Sequence, residues 1–361
     1  MRCLVVNGPN LNLLGTREPD VYGSTTLEDL HAMVDEWAGA MGVEVQCEQT
    51  NSEHGIIDLI QGYDGDAIVI NPGAFTHTSR AIADAIRAVA TPTVEVHISN
   101  IREREPWRAV SVISDACVRT IYGRGLVGYR DAMRHLVNRH SVPFETARYG
   151  PHQDNVADLR RGGGMDLVVL VHGGIWRQEH ERDTTESLAV DLAIRGYDTL
   201  NVEYRRLGNG GGWPASGHDL LTFLDFVPQL DLRSRRVLVV SHSAGSFLSA
   251  WAATRSATPV ALHLAMGPVL DLAASVDADD PCARGSALML ASGAPSVVAP
   301  GSIVTALLHG DADQIVPVAH SAAYAHHHGI EFHRTGCDHF SVLDPTKPEW
   351  EWARSRLGAL R

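Results

Sequence analysis

No stretch of this sequence stays apolar for the roughly 18–20 residues that a membrane-crossing helix requires. The N-terminus, MRCLVVNGPN, has one basic residue and turns polar after a short apolar run. It is too short for a secretion signal and reads instead as a first β-strand. The five cysteines (Cys3, Cys47, Cys117, Cys282 and Cys337) are scattered, odd in number and without a CxxC pair. That pattern argues against a disulfide framework or a zinc site and points to a reducing cytoplasm. Basic residues are outnumbered, 30 Lys and Arg against 43 Asp and Glu, for a formal net charge of −13. A binder of nucleic acid or of an anionic membrane needs a basic face, so neither partner is expected. A small anionic substrate stays open, because a few arginines can make a positive pocket in an acidic protein. There is no internal repeat and no low-complexity segment. What is present is an ordinary globular composition, 44% hydrophobic and 20% charged, in a 361-residue chain long enough for two domains.

The first portion alternates short apolar runs with helical patterns. CLVVN reads as a buried strand. Thr26 is placed to cap a helix in which Leu27, Leu30, Met33, Val34, Trp37 and Met41 recur at helical spacing. Strands are expected at VEVQCEQ, AIVIN and TVEVHIS, with helices through Ile56–Ile60 and Ser79–Val89 and a closing helix over Gly125–Leu136. This βαβα order predicts a parallel sheet covered on both faces. From His140 to Met165 the pattern breaks into a Pro- and Gly-bearing stretch, read as a linker running into irregular first strands. A second βα series follows, with strands at DLVVLV, YDTLNVEYR, RRVLVVS, PVALHLAM, SIVTALL and IEFHRT. The expected division is 1–140 and 141–361.

In an open parallel sheet, ligands bind beyond the carboxyl ends of the strands. Polar segments gather there: NGPNLN after the first strand, NPGAFTHTS after AIVI, and EVHIS, whose alternation puts Glu95, His97 and Ser99 on one face. Between Gly15 and Gly23 lies a segment carrying Arg17 and Tyr22, with the glycines and a Pro suited to a mobile lid. A neighbouring Arg favours a phenolate, so Arg17 and Tyr22 would supply a base, and His97 held by Glu95 an acid. Base and acid across a cleft suit elimination of water from a hydroxy-ketone. Singly, each piece has an ordinary explanation: a loop Tyr packs, a strand His is a satisfied core residue, a loop Arg is solvated, and NPG is a turn.

Together, GPNLNLLGTREPDVYGSTTLEDL, NPGAFTHTS, VEVHISN, PWR and GYRDAM resemble the type II 3-dehydroquinate dehydratases over about residues 1–138. The resemblance implies a flavodoxin-like α/β domain, no metal and no organic cofactor. It implies Tyr22 as the base that takes a proton from C2 of 3-dehydroquinate, Arg17 as its activator, and His97 as the acid for the departing hydroxyl with Glu95 beside it. Asn10 would hold the enolate, and Asn71, His77, Ile98, Ser99 and Arg108 would bind substrate, Arg108 through the carboxylate. Asp84 would reach a neighbouring subunit's site, implying a homo-oligomer of trimers assembled into dodecamers. The chain departs from the family's pattern at TNSEHGIID, Phe75, Trp107 and IREREPWR, and none of these removes a catalytic group.

The second portion carries SHSAG between a strand and a small-residue helix, the context of a nucleophile elbow with Ser241 in place of the usual first Gly. HGGIW follows one strand, HGDADQIVP another, and CDHF lies near the end. The order Ser243, Asp313, His339 is that of the α/β-hydrolases; Asp311 competes for the acid, and His242 and Asp338 read as supporting or solvated groups. With VEYR and GGWP, about residues 145–361 resemble the esterase and kynurenine-formamidase branch of that fold. The resemblance implies acyl transfer on an unknown ester or amide, with Gly173, Gly174 and Ala244 at the oxyanion hole. The leading reading is thus a bifunctional enzyme. The alternatives are a dehydratase with a non-catalytic second domain, and an esterase or formamidase with a dehydratase-like oligomerisation scaffold.

Overall fold

Alternation decides the first sheet. In β1 (Arg2–Asn7), Cys3 and Val5 enter one core while Leu4 and Val6 enter another; in β3 (Ala67–Asn71), Ala67 and Val69 repeat the first choice and Ile68 and Ile70 the second. A strand apolar on both faces belongs at the centre of a sheet covered by helices on both sides. The computed structural model, which describes residues 1–16, 24–233, 236–277 and 281–359, has this arrangement. The chain divides into two units, Met1–His140 and Ser141–Arg361.

In the first unit, β1, β2 (Glu44–Gln49), β3, β4 (Thr93–His97) and β5 (Arg119–Tyr122) form a five-stranded parallel sheet in the order β2-β1-β3-β4-β5. This is the flavodoxin-like order, whose direction of winding reverses between β1 and β3 and leaves a crevice at their carboxyl ends. One face is covered by α1 (Leu27–Ala40) and α4 (Val127–Ser141), the other by α2 (Glu53–Gly62) and α3 (Arg80–Val89). Thr26 caps α1 through a full capping box with Asp29. The short strand β5 was not among the expected elements. It has four residues, one of them Arg119, and too few positions to show a period.

The second unit has an eight-stranded mixed sheet, β13-β12-β11-β10-β8-β9-β7-β6. Here β6 (Glu145–Arg148) and β7 (Val156–Arg160) run antiparallel at one edge. β8 (Asp166–Val171), β9 (Asp198–Val202), β10 (Arg236–His242), β11 (Val260–Met266), β12 (Val304–Gly310) and β13 (Glu331–Thr335) are parallel. The stretch 140–165, read as a linker running into irregular first strands, is corrected only at its start: α4 continues to Ser141 and β6 begins at Glu145, so the expected strands follow almost at once. An edge strand with exposed side chains has no apolar period to read. Helices α5 (Glu186–Ile194), α6 (Ala215–Phe226), α7 (Gly245–Ala253), α8 (Leu272–Asp277), α9 (Ala283–Ala291), α10 (Val318–His328) and α11 (Pro348–Gly358) complete the unit. Among the described residues no helix is long and apolar enough to cross a membrane.

Candidate active sites

β1 and β3 end side by side, with Asn7 in register with Asn71. The Gly8 amide donates to Asn71 O at 2.7 Å, and a Cβ on Gly8 would lie 2.6–2.9 Å from the Pro72 backbone. Only glycine lets the two chains meet this closely. Asn10 then turns left-handed at φ 66. Beyond this point lies a cavity of about 200 Å³. Seven of the expected residues line it: Asn10, Asn71, His77, His97, Ile98, Ser99 and Arg108.

Glu95 stands behind His97 with no exposed surface. A buried carboxylate needs donors, and it has four. His97 Nε2 lies 2.8 Å from Oε1, Thr76 Oγ1 donates to Oε1 at 2.9 Å, Ser111 Oγ lies within 3.0 Å of both oxygens, and Thr120 Oγ1 donates to Oε2 at 3.0 Å. Burial opposes the charge, but the hydrogen bond and charge of His97 and the Ser111 and Thr76 hydroxyls outweigh it and hold Glu95 below the usual carboxylate range. An acceptor at Nε2 fixes the His97 tautomer and leaves Nδ1 as the ring nitrogen not engaged by Glu95.

Asn71 is fixed at both ends. Its Nδ2 donates to Tyr129 Oη at 2.9 Å, its Oδ1 accepts from Gly73 N–H at 3.3 Å, and the Tyr129 hydroxyl donates onward to Asn7 Oδ1 at 2.7 Å. His77 donates from Nδ1 to Val110 O at 2.7 Å, since a carbonyl can only accept, and packs edge-on against Trp107. Arg108 lies over Trp107 and donates from Nε to Glu105 at 3.0 Å. Arg17 and Tyr22 lie outside the described residues. Asp84 is not at the cavity of its own chain; it faces solvent on α3 beside Arg87. The reading of the sequence missed the hydroxyls around Glu95, and it missed Tyr129 and Arg104, which also lines the cavity. The only signal was the buried Glu inside TVEVH, which demands donors without saying which.

In the second unit, Ser243 sits between β10 and α7 in the left-handed region at φ 51. His339 Nε2 is 3.0 Å from Ser243 Oγ, and His339 Nδ1 is 2.6 Å from Asp313 Oδ2. Asp313 Oδ1 accepts from the Ile315 and Val316 amides at 2.8 Å each. Burial opposes its charge, yet the bonds from His309 and His339 hold Asp313 well below the carboxylate range. Asp311, the competing aspartate, pairs with Arg334 at the surface instead. His242 is buried rather than solvated; burial pushes it down to about 3, and as a neutral ring it donates from Nε2 to the His339 carbonyl at 2.9 Å. Asp338 accepts from the Phe340 and Ser341 amides at 2.8 Å each and closes the turn behind His339.

The departure at Ser241 has a structural reason. Its Oγ bonds Ser246 Oγ at 2.9 Å and His263 Nε2 at 2.7 Å, tying both sides of the elbow to β11. The loop after β8 approaches Ser243 closely. A Cβ on Gly173 would stand 2.7 Å from Ser243 Cβ, and Gly174 has φ +100. This loop is anchored by His172, whose Nε2 bonds the buried Glu203 at 2.8 Å. Ala244 opens α7, where the first helical amides have no partner within the helix. A Cβ on Gly245 would lie 2.2 Å from His172 O. Gly245→Ala is therefore expected to destabilise this unit by about 1–3 kcal/mol through backbone displacement. A urea melt followed by tryptophan fluorescence checks it; an unchanged midpoint would contradict the close approach.

A family model described as dehydroquinase class II matches residues 1–137, and one described as BD-FAE matches residues 157–269. Over 136 residues the chain is 51% identical to a 3-dehydroquinate dehydratase of Pelotomaculum thermopropionicum, covering 37% of this chain and 94% of the relative. Over 135 residues it is 53% identical to catabolic 3-dehydroquinase 1 of Neosartorya fischeri, covering 37% of this chain and 90% of the relative. Among solved structures, esterase LipW from Mycobacterium marinum aligns at a TM-score of 0.51 and 23% identity, over 64% of this chain and 85% of that one. Esterase B from Lactobacillus rhamnosis aligns at 0.51 and 19%, over 64% and 89%. Likeness at that identity speaks for the fold alone. Through residues 1–137 this chain belongs to the class II dehydroquinase family, and an α/β-hydrolase fold follows it.

Proposed function

We propose that the chain is a bifunctional enzyme of two catalytic domains, 1–140 and 141–361. The first dehydrates 3-dehydroquinate to 3-dehydroshikimate, and the second hydrolyses an ester or amide. The observation that carries the first activity is the buried Glu95–His97 pair at the end of β4, beside a cavity lined by Asn10, Asn71 and Arg108. Tyr22, activated by Arg17, takes the proton from C2. The electrons pass through an enolate held by Asn10 and form the C1–C2 double bond, and the C1 hydroxyl leaves as water with a proton from His97. Arg108 pairs with the substrate carboxylate, while Asn71, His77 and the segment at Ile98 and Ser99 hold the ring. Asp84, on the surface of α3, reaches the site of a neighbouring copy in a homo-oligomer of trimers, assembled into dodecamers as the family resemblance implies.

In the second domain His339 takes the Ser243 proton, Asp313 orients it, and the amides at Gly173, Gly174 and Ala244 receive the oxyanion. Covalent linkage motivates a narrower reading, in which the hydrolase releases quinate or shikimate from their esters; chlorogenate-like esters assayed against aryl formamides decide it, and turnover of formamides alone would overturn it.

The test of the dehydratase is the rise of enone absorbance on adding 3-dehydroquinate. The wild-type protein is expected to show it and Tyr22→Phe to lose it by roughly 10²–10⁴-fold, the contribution of a positioned general base. No signal from the wild type would leave the first domain as a scaffold.

A further inference from the structure

We propose that His309 is a positioning residue for acyl transfer, donating to the same oxygen of Asp313 that orients His339 and so setting how tightly that carboxylate holds the protonated ring. The proposal rests on the hydrolase reading above.

His309 is the penultimate residue of β12 and is wholly buried. Its Nε2 lies 3.0 Å from Asp313 Oδ2 and 3.0 Å from Val316 O. A backbone carbonyl can only accept, so Nε2 carries a hydrogen and shares it between the two oxygens. In the neutral ring Nδ1 is then an acceptor, and Ser321 Oγ of α10 donates to it at 2.7 Å. His309 is thereby held from both sides with its donor aimed at the carboxylate. Asp313 Oδ2 is divided between two imidazoles, at 3.0 Å to His309 and 2.6 Å to His339.

A donor on a carboxylate oxygen delocalises part of its charge, and the pull on a second cation at that oxygen falls. Loss of His309 frees Asp313 Oδ2 to grip protonated His339 more strongly. The neutral ring, which alone accepts the Ser243 proton, then appears only at higher pH. A merely structural role has the opposite sign, because a displaced Asp313 supports the protonated ring less. Among the described residues, the other titratable groups facing the cluster are His242, whose ring centroid is 4.6 Å from that of His339, and Asp338 beside it, while Asp311 is turned to the surface with Arg334. They are common to all variants.

The experiment follows the second-order rate of fluorophosphonate labelling against pH on the full-length protein, with Ser243→Ala as blank. His309→Leu is expected to move the acidic limb up by about 0.5–1 pH unit. His309→Gln, which keeps an N–H donor near Nε2, is expected to restore the limb. A limb that stays or moves down in His309→Leu overturns the role of His309 alone, whereas an unlabelled wild type overturns the hydrolase reading and the proposal with it. If His309→Leu does not fold, ¹⁵N-histidine spectra of the wild type decide: a hydrogen on Nε2 with Nδ1 bare supports the role, and the opposite tautomer refutes it.

Discussion

Ser243→Ala is expected to lower ester or amide turnover by roughly 10⁴–10⁶-fold, the range found when a triad nucleophile is removed, with 3-dehydroquinate turnover unchanged. In the proposed acyl transfer the hydroxyl is the group that attacks, and His339 stands 3.0 Å away. What would remain after its removal is the proposed oxyanion loop, whose amides would stabilise charge but form no covalent bond. The fold should tolerate the change. The backbone at Ser243 is already left-handed at φ 51, alanine is no bulkier than serine, and the elbow is braced at Ser241, Ser246 and His263 rather than through the Ser243 hydroxyl. A melting temperature within a degree or two of the wild type, together with complete loss of the esterase signal, is the expected pair of results. Retention of a tenth of the activity would show that the nucleophile lies elsewhere.

Glu95→Gln is expected to reduce 3-dehydroquinate turnover about 100-fold, the scale of losing one well-placed acid's orientation, and to destabilise the first unit by about 2–3 kcal/mol at neutral pH, as befits hydrogen bonds to a buried charge. The amide keeps one acceptor oxygen, but its NH₂ must face hydroxyls now oriented to donate, and the attraction to His97 is lost. The pH dependence has a definite sign. Glu95 is held below its ordinary value of 4.5, so its stabilising contribution is full above that value and disappears as the pH falls through the lowered one. The stability gap between wild type and Glu95→Gln is therefore widest at pH 7 and narrows below about pH 4.5. Urea midpoints at a series of pH values measure it. A gap independent of pH would show that Glu95 is uncharged in the folded protein.

The parts of the two sites that were legible in the sequence are those set by local rules. Thr26 caps α1 because hydroxyl, spacing and Asp29 lie within one turn of chain. Asp313 rather than Asp311 follows from its place in HGDADQIVP, and His97 with Glu95 from strand alternation. The short strand β5 was missed and the exposed edge strand β6 was read only as part of irregular first strands, because neither has enough inward-facing positions to impose a period. The roles of Thr76, Ser111 and Thr120 were out of reach for a different reason. They lie 19, 16 and 25 residues from Glu95, and no local pattern links a carboxylate to hydroxyls on other segments.

The sequence by itself determined most of the strands in their order, the residue types gathered at the two candidate sites and the division into a dehydroquinase portion and a hydrolase portion, because strand and helix periods, turn residues and motif spacing are properties of neighbouring positions. Only the tertiary structure decided which groups hold the reacting ones in place. The hydroxyl cradle of Glu95, the Tyr129 bridge between Asn7 and Asn71, the tie from Ser241 to His263 and the second histidine on Asp313 all join separate strands and loops. Burying a charge or an amide obliges the fold to find partners. Which segments supply them depends on how the sheet is wound, and that is settled only when the chain has closed on itself.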